Sequence, residues 1–232
     1  MELILVGKML TRDSRNFHGW GYRRKVVSEL ESSGLNGVSL VEPEFEYTTK
    51  MVKSDLSNFS AWHNRSKLIP RLLNQRNADD ATRRKFLDAG MFHPCLYNSS
   101  TPNSDVEFEL ITEAIYTDAY PYAQSVWFYH QFLMTTLVET AGYATFTPNF
   151  TQQDRIDYIA EQLISLKDML DGAEDCKWIY NALLEYTLAV CQMAKRQRRE
   201  DEKQDCNLWL VALRKLDPLR SRRWDDVENT LL

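Results

Sequence analysis

An all-α fold, an α-α superhelix of antiparallel helical hairpins, is predicted by three observations. Sliding the chain against itself by 42 residues lays residues 2–30 over 44–72 without a gap, with ten identities in 29 positions. A repeat of that length is the signature of stacked helical units. Within the second copy the repeat positions recur at helical spacing: Phe45, Thr48, Met51 and Val52 in one segment, then Asn58, Trp62, Arg65 and Ile69 in the next. Finally, 8 Gly and 7 Pro in 232 residues, with 44% hydrophobic side chains, exclude collagen-like, low-complexity and disordered chains.

Each element follows from the same pattern. The first segment of a unit is an amphipathic helix, Glu2 to Asp13 in one copy and Glu44 to Asp55 in the other, with Ser54 and Asp55 supplying turn and N-cap chemistry. The second begins near Asn16 or Asn58, and Asn16, Trp20, Arg23 and Val27 repeat the stripe of Asn58, Trp62, Arg65 and Ile69. Trp20 and Trp62 are read as structural, each burying roughly 150–250 Å² where helices cross. Arg23 and Arg65, one turn later, are read as donors to carbonyls or carboxylates of the adjacent hairpin.

A third copy is degenerate. Glu107-Phe108-Glu109-Leu110 overlies Glu44-Phe45-Glu46-Tyr47, and Trp127 overlies Trp62 after a two-residue insertion. Ala123 stands where the Asn belongs and His130 where the Arg belongs. The extra length lies mainly between Asn74 and Ser104, where Pro94 and the run from Asn98 to Asn103 read as a loop. Trp178 and Trp209 are taken to head two further units. Ile156, Ile159, Leu163, Leu166 and Leu170 make a stripe stopped at Asp171-Gly172, and Asp217-Pro218 breaks the final helix. The whole is one helical-repeat domain, residues 1–232, with units near 1–42, 43–104 including the insertion, 105–150 and a degenerate 151–232.

Composition narrows the function. A net charge of −5 argues against phosphate-driven nucleic-acid binding. The basic run Lys195–Arg199 is followed at once by Glu200, Asp201 and Glu202, so it reads as a mixed-charge face or turn. Apolar runs are far shorter than the about 18 residues of a membrane span, and the first residues lack a basic n-region, so a cytoplasmic chain is expected. Cys95, Cys176, Cys191 and Cys206 form no CxxC pair, and His18, His63, His93 and His130 are scattered, so no metal site is expected in this chain. There is no Gly-rich phosphate loop, Gly-x-Ser-x-Gly or paired-carboxylate motif. The Asn-x-Ser/Thr triplets at Asn58, Asn64, Asn98 and Asn149 are read as chance matches.

Asn16-Phe17-His18-Gly19-Trp20-Gly21-Tyr22-Arg23 and Asn58-Phe59-Ser60-Ala61-Trp62-His63-Asn64-Arg65 resemble the repeat of the protein prenyltransferase α-subunit family. Tyr116-Thr117-Asp118 with Gln124–His130 resembles its Rab geranylgeranyltransferase (type II) branch. Cys176-Lys177-Trp178, Leu216–Arg220 and Arg222-Arg223-Trp224 are similar to fungal-type members. The resemblance covers nearly the whole chain. Tetratricopeptide repeats, with a period of about 34 residues, fit less well.

The resemblance implies a right-handed crescent of hairpins wrapped around a separate β subunit that carries the lipid pocket and a zinc ion. The activity implied is transfer of geranylgeranyl from geranylgeranyl diphosphate to C-terminal cysteines of Rab GTPases, with or without a Rab escort protein. The alternatives are the α subunit shared by farnesyltransferase and type I geranylgeranyltransferase, and a non-catalytic helical scaffold. The family's lysine near the diphosphate sits in a repeat preceding Asn16, so no catalytic residue is assigned and no cofactor is expected on this chain itself. The resemblance makes Asn16, Phe17, His18, Asn58 and Phe59 the candidates facing substrate or β subunit, with Phe17 in place of the family's usual Tyr. Trp20, Arg23, Trp62, Arg65 and Trp127 are the structural repeat positions. Opening an array in mid-hairpin is expected to expose Leu3, Leu5, Val6 and Leu10, and a product longer at its N-terminus is expected.

Overall fold

A computed structural model of the protein describes residues 1–32, 34, 37–90, 124–137 and 145–231. Among the described residues there are ten α-helices and no strand: α1 (Glu2–Arg12), α2 (Phe17–Leu30), α3 (Val41–Ser54), α4 (Phe59–Gln75), α5 (Asp80–Gly90), α6 (Gln124–Thr135), α7 (Gln152–Leu170), α8 (Lys177–Met193), α9 (Glu200–Leu216) and α10 (Ser221–Leu231). A 3-10 turn, Pro218–Arg220, precedes α10. The first helix read for the third unit, residues 107–118, lies outside the described residues, as do Ala123, Cys95 and the loop read over 94–103.

Short connections force consecutive helices to pack as hairpins, α1 on α2, α3 on α4, α7 on α8 and α9 on α10. The second helices also pack on one another in order, α2 on α4, α4 on α6, α6 on α8, so they form one continuous layer. The core runs along the array as one apolar cluster, from Val6 and Leu10 through Trp20, Trp62 and Leu133 to Leu213 and Trp224. That is the behaviour of a repeat stack, in which each unit is completed by its neighbour.

The first two hairpins are closed by the same bonds. The carbonyl of Ser14 accepts the Trp20 indole N–H at 2.8 Å, and the carbonyl of Leu56 accepts that of Trp62 at 2.9 Å. Both reach six residues back, because the fourth residue of the second helix points its ring over its own loop. The caps are Asn16, whose Oδ1 accepts from the Gly19 N–H at 2.9 Å, and Asn58, whose Oδ1 accepts from the Ala61 N–H at 3.0 Å. Asp55, expected as an N-cap, instead follows the end of α3 and accepts from the Ser57 N–H at 2.9 Å, bracing the loop.

Several expectations need correction. Residues 80–90, within the extra length and ahead of the stretch read as a loop, form a helix that the sequence pattern did not single out, α5, started by Asp79, whose carboxylate accepts the Thr82 N–H at 2.8 Å. Val6 and Leu10 are buried against α2, and the exposed apolar side chains of α1 are Ile4, Leu5 and Met9. A helix has only one face per hairpin, and Val6 and Leu10, four apart, occupy it. Asp217-Pro218 ends α9, but another helix follows, so Arg222, Arg223 and Trp224 lie on α10.

Trp178 and Trp209 do not hold the repeat position. Trp178 is the second residue of α8, about 200° round the helix from the fourth. That fourth residue is Tyr180, whose hydroxyl donates to the Glu174 carbonyl at 3.0 Å, again six residues back. Trp209 lies on α9, the first helix of its hairpin, and Trp224 is the fourth residue of α10. The five second helices among the described residues therefore carry Trp20, Trp62, Trp127, Tyr180 and Trp224 at one position. Their seventh residues run Arg23, Arg65, His130, Leu183, Val227, so the lock between units changes from charged to apolar along the chain.

The stop after α7 is Gly172 at φ +91°, where a Cβ would meet nothing within 4 Å. Gly172→Ala is therefore expected to cost about 1 kcal/mol from backbone strain alone, read as a lowered urea midpoint. An unchanged midpoint would show that the loop relaxes freely.

Candidate functional site

The layer of second helices presents an aromatic surface. Phe17 and Phe59 are the first residues of α2 and α4, 68% and 54% exposed. Phe17 lies against His18, ring centroids 3.9 Å apart. Phe59 stacks over His63 at 6.2 Å and meets Phe128 of α6 edge-on at 6.0 Å. Phe128 in turn meets Trp178 of α8 edge-on at 5.7 Å. Rings from three helices thus form an unbroken row, in the geometry that the aromatic quadrupole favours.

Two clefts flank Phe128. One, about 280 Å³, is lined by Phe128 and Trp178 with Gln131, Glu185, Arg220 and Arg223 among its polar groups. The other, about 270 Å³, is lined by Phe59, Phe128 and Phe132 with His63, Ser66 and Lys67. The Glu185 carboxylate accepts from Gln131 Nε2 at 2.7 Å and from Arg223 Nη2 at 3.0 Å. Burial raises its pKa, and the Asn181 and Gln131 amides and Arg223 pull against that rise. Burial lowers the His63 pKa, and the neighbouring Arg24 and Lys67 charges lower it further.

Beneath the first cleft, His130 Nδ1 and the Tyr186 hydroxyl are 2.7 Å apart and both side chains are buried. Burial pushes His130 down to about 3 and Tyr186 well above its ordinary value, so both are neutral at physiological pH. Because an unfolded imidazole titrates near 6.5 and the folded one near 3, the unfolded chain binds the extra proton between these values. Its stabilising contribution is complete above about pH 6.5 and is lost as the pH falls toward 3. The urea stability of the protein should drop by up to about 1.4 kcal/mol per pH unit below 6 through this group. His130→Asn should flatten that slope. A His130 ring signal titrating near 6.5 by NMR would contradict the assignment.

The candidates separate. Asn16, Phe17 and His18 are exposed at the start of α2, and Phe59 is exposed at the start of α4. Asn58 is not available to a partner. It is fully buried, and its Nδ2 donates to the Ser14 carbonyl of the preceding hairpin at 2.8 Å, the same oxygen that takes the Trp20 indole. Trp20, Trp62 and Trp127 are 1%, 1% and 4% exposed. Buried Arg23 forms a bidentate pair with Glu44 of the next hairpin at 2.8 and 2.6 Å and lies 3.5 Å over the Tyr47 ring. Arg65, also buried, donates to the Phe45 carbonyl and to the Thr48 and Thr49 hydroxyls at 3.3, 3.0 and 2.7 Å. Sequence reasoning missed Phe128, Glu185 and Arg223, which come together only through packing of α6, α8 and α10. Tyr180 and Trp224 were findable, since each follows a helix start by the same count as Trp62. Among the described residues, no three His, Cys, Asp or Glu side chains gather as a metal site.

Residues 1–30 and 41–72, the two hairpins closed by Trp20 and Trp62, match the model of the protein prenyltransferase alpha subunit repeat. These two hairpins are prenyltransferase α-subunit repeats. The chain as a whole is similar to the geranylgeranyl transferase type-2 subunit alpha of Schizosaccharomyces pombe, 30% identical over 236 residues, which are 99% of this chain and 61% of that protein. The namesake from Candida albicans is 30% identical over 238 residues, 97% of this chain and 61% of that one. The rat protein is 33% identical over 135 residues, 57% of this chain and 19% of its own length. The chain thus spans about three-fifths of the fungal relatives' length, and its similarity to these prenyltransferase subunits reaches well past the two matched repeats.

Proposed function

We propose that this chain acts as the α subunit, or a large part of it, of a Rab geranylgeranyltransferase. In that role it joins a β subunit that holds zinc and the lipid pocket, and the pair moves geranylgeranyl from its diphosphate to C-terminal cysteines of Rab GTPases in the cytoplasm, with a Rab escort protein as a further partner. The observation that carries this reading is the match of nearly all of this chain to fungal type-2 α subunits, placed on an array whose second-helix layer leaves Phe17, His18 and Phe59 exposed. The shared type-2 name of these relatives favours this branch over the farnesyl and type I enzymes. No described helix is long and apolar enough to cross a membrane.

The chemistry divides between the subunits. Zinc on the β subunit would supply a deprotonated acceptor thiol. This chain's part is to hold the β subunit and to present the start of α2 to it, where Asn16 fixes the first turn through the Gly19 N–H and sets the direction of Phe17 and His18. The test is co-expression with a prenyltransferase β subunit, followed by transfer of labelled geranylgeranyl to a Rab–escort complex. Co-elution with transfer supports the reading. Transfer only to short C-terminal peptides would move the chain to the alternative enzymes, and co-elution without any transfer would make it a scaffold.

A further inference from the structure

The loops that open α2 and α4 are tied to one another. Asn58 Nδ2 donates to the Ser14 carbonyl at 2.8 Å, and Arg15 forks onto the Asp55 carboxylate, Nε to Oδ2 at 2.8 Å and Nη2 to Oδ1 at 3.3 Å. Ser14 and Arg15 are the two residues ahead of Asn16, the cap that Phe17 and His18 follow. Asp13 and Asp55 are equivalent in the 42-residue register, yet they bond differently. Asp13 accepts from the Asn16 side-chain amide of its own loop at 3.0 Å, whereas Asp55 reaches back to the loop before it and also accepts the Ser57 N–H at 2.9 Å. One carboxylate therefore braces two successive loops.

We propose that Arg15 and Asp55 are a positioning pair whose fork sets the direction in which the start of α2 presents Phe17 and His18. The two ties between the loops do different work. The Ser14 carbonyl also takes the Trp20 indole, so that tie belongs to the packed joint. The side chains of Arg15 and Asp55 are 64% and 24% exposed, and a surface pair of that kind contributes little to stability. A two-point guanidinium–carboxylate fork does fix orientation, so its removal frees the start of α2 without opening the fold. On the function proposed above, that start is what the β subunit meets, and a surface already held in its binding direction has less to order on contact.

The test is a double-mutant cycle of Arg15→Leu and Asp55→Asn on the full chain. The Asn side chain keeps an oxygen for the Ser57 N–H and loses the one that takes Arg15 Nε, so the second loop stays braced. Hydrogen exchange reads the first turn of α2 through the Gly19 amide, bonded to Asn16 Oδ1, and the Trp20 indole, bonded to Ser14. Both should exchange at least threefold faster in either single variant and no faster in the double. The Ala61 amide and Trp62 indole of the second hairpin should keep their rates. Equal acceleration in both hairpins, which general destabilisation would give, or no change in either, would overturn the proposal. Affinity for a prenyltransferase β subunit should fall at least threefold in each single variant, with no further loss in the double. Unchanged affinity in all three, or a loss with Arg15→Leu alone, which would make Arg15 a direct contact, would also overturn it. A wild-type chain that binds no β subunit removes the function proposed above, and the exchange cycle then decides Arg15 and Asp55 by itself.

Discussion

Arg23→Ala is expected to destabilise the protein by about 3–5 kcal/mol, because it strands the carboxylate of Glu44 in the joint between the first two hairpins. Arg23 and Glu44 are 5% and 7% exposed, and the pair is bidentate at 2.8 and 2.6 Å. Two charges removed from water at that depth repay their desolvation only through each other, so deleting one leaves the other's full cost. The guanidinium also loses its place 3.5 Å over the Tyr47 ring. The joint replacement Arg23→Met with Glu44→Leu removes both charges and should recover most of the loss. Urea unfolding of the three proteins decides the matter. If the single and the double variant are equally unstable, packing rather than charge compensation governs this joint.

Trp62→Ala should cost a similar amount, about 3–5 kcal/mol, for a different reason. The indole is 1% exposed, packs 4.6 Å from the Tyr129 ring of α6 and closes its own loop through the Leu56 carbonyl. Truncation removes that apolar area, opens a cavity between the second and third units and leaves a carbonyl without its donor. Trp62→Phe keeps most of the area and loses the N–H, so about 1–2 kcal/mol is expected for it. Because stacked repeats depend mainly on their neighbours, amide exchange should quicken in α4 and α6 first and in α8 least. Uniform acceleration along the chain would mean that the array unfolds as one cooperative block.

What the sequence determined by itself is whatever repeats locally. The gapless register at 42 residues placed two hairpins, their caps at Asn16 and Asn58 and their closing indoles at Trp20 and Trp62, since a helix start and a fourth-residue ring are separated by a few residues of chain. The stripe from Ile156 to Leu170 and the stop at Gly172 were legible for the same reason: the 3.6-residue period and the need for φ +91° are properties of the segment. Where the copies degenerate, the same count from a helix start points to Tyr180 and Trp224, whereas following tryptophan as a letter leads to Trp178 and Trp209.

Only the tertiary structure decided which side chains leave the surface and which meet. Asn58 and Asn16 share a motif, yet Asn58 is sealed by the loop of the hairpin before it while Asn16 is exposed, and no local pattern tells which of two such residues a neighbouring loop covers. Phe59, Phe128 and Trp178 join in a row from positions spread over 120 residues because α4, α6 and α8 lie side by side, and that adjacency comes from burying the apolar stripe of each helix against the next.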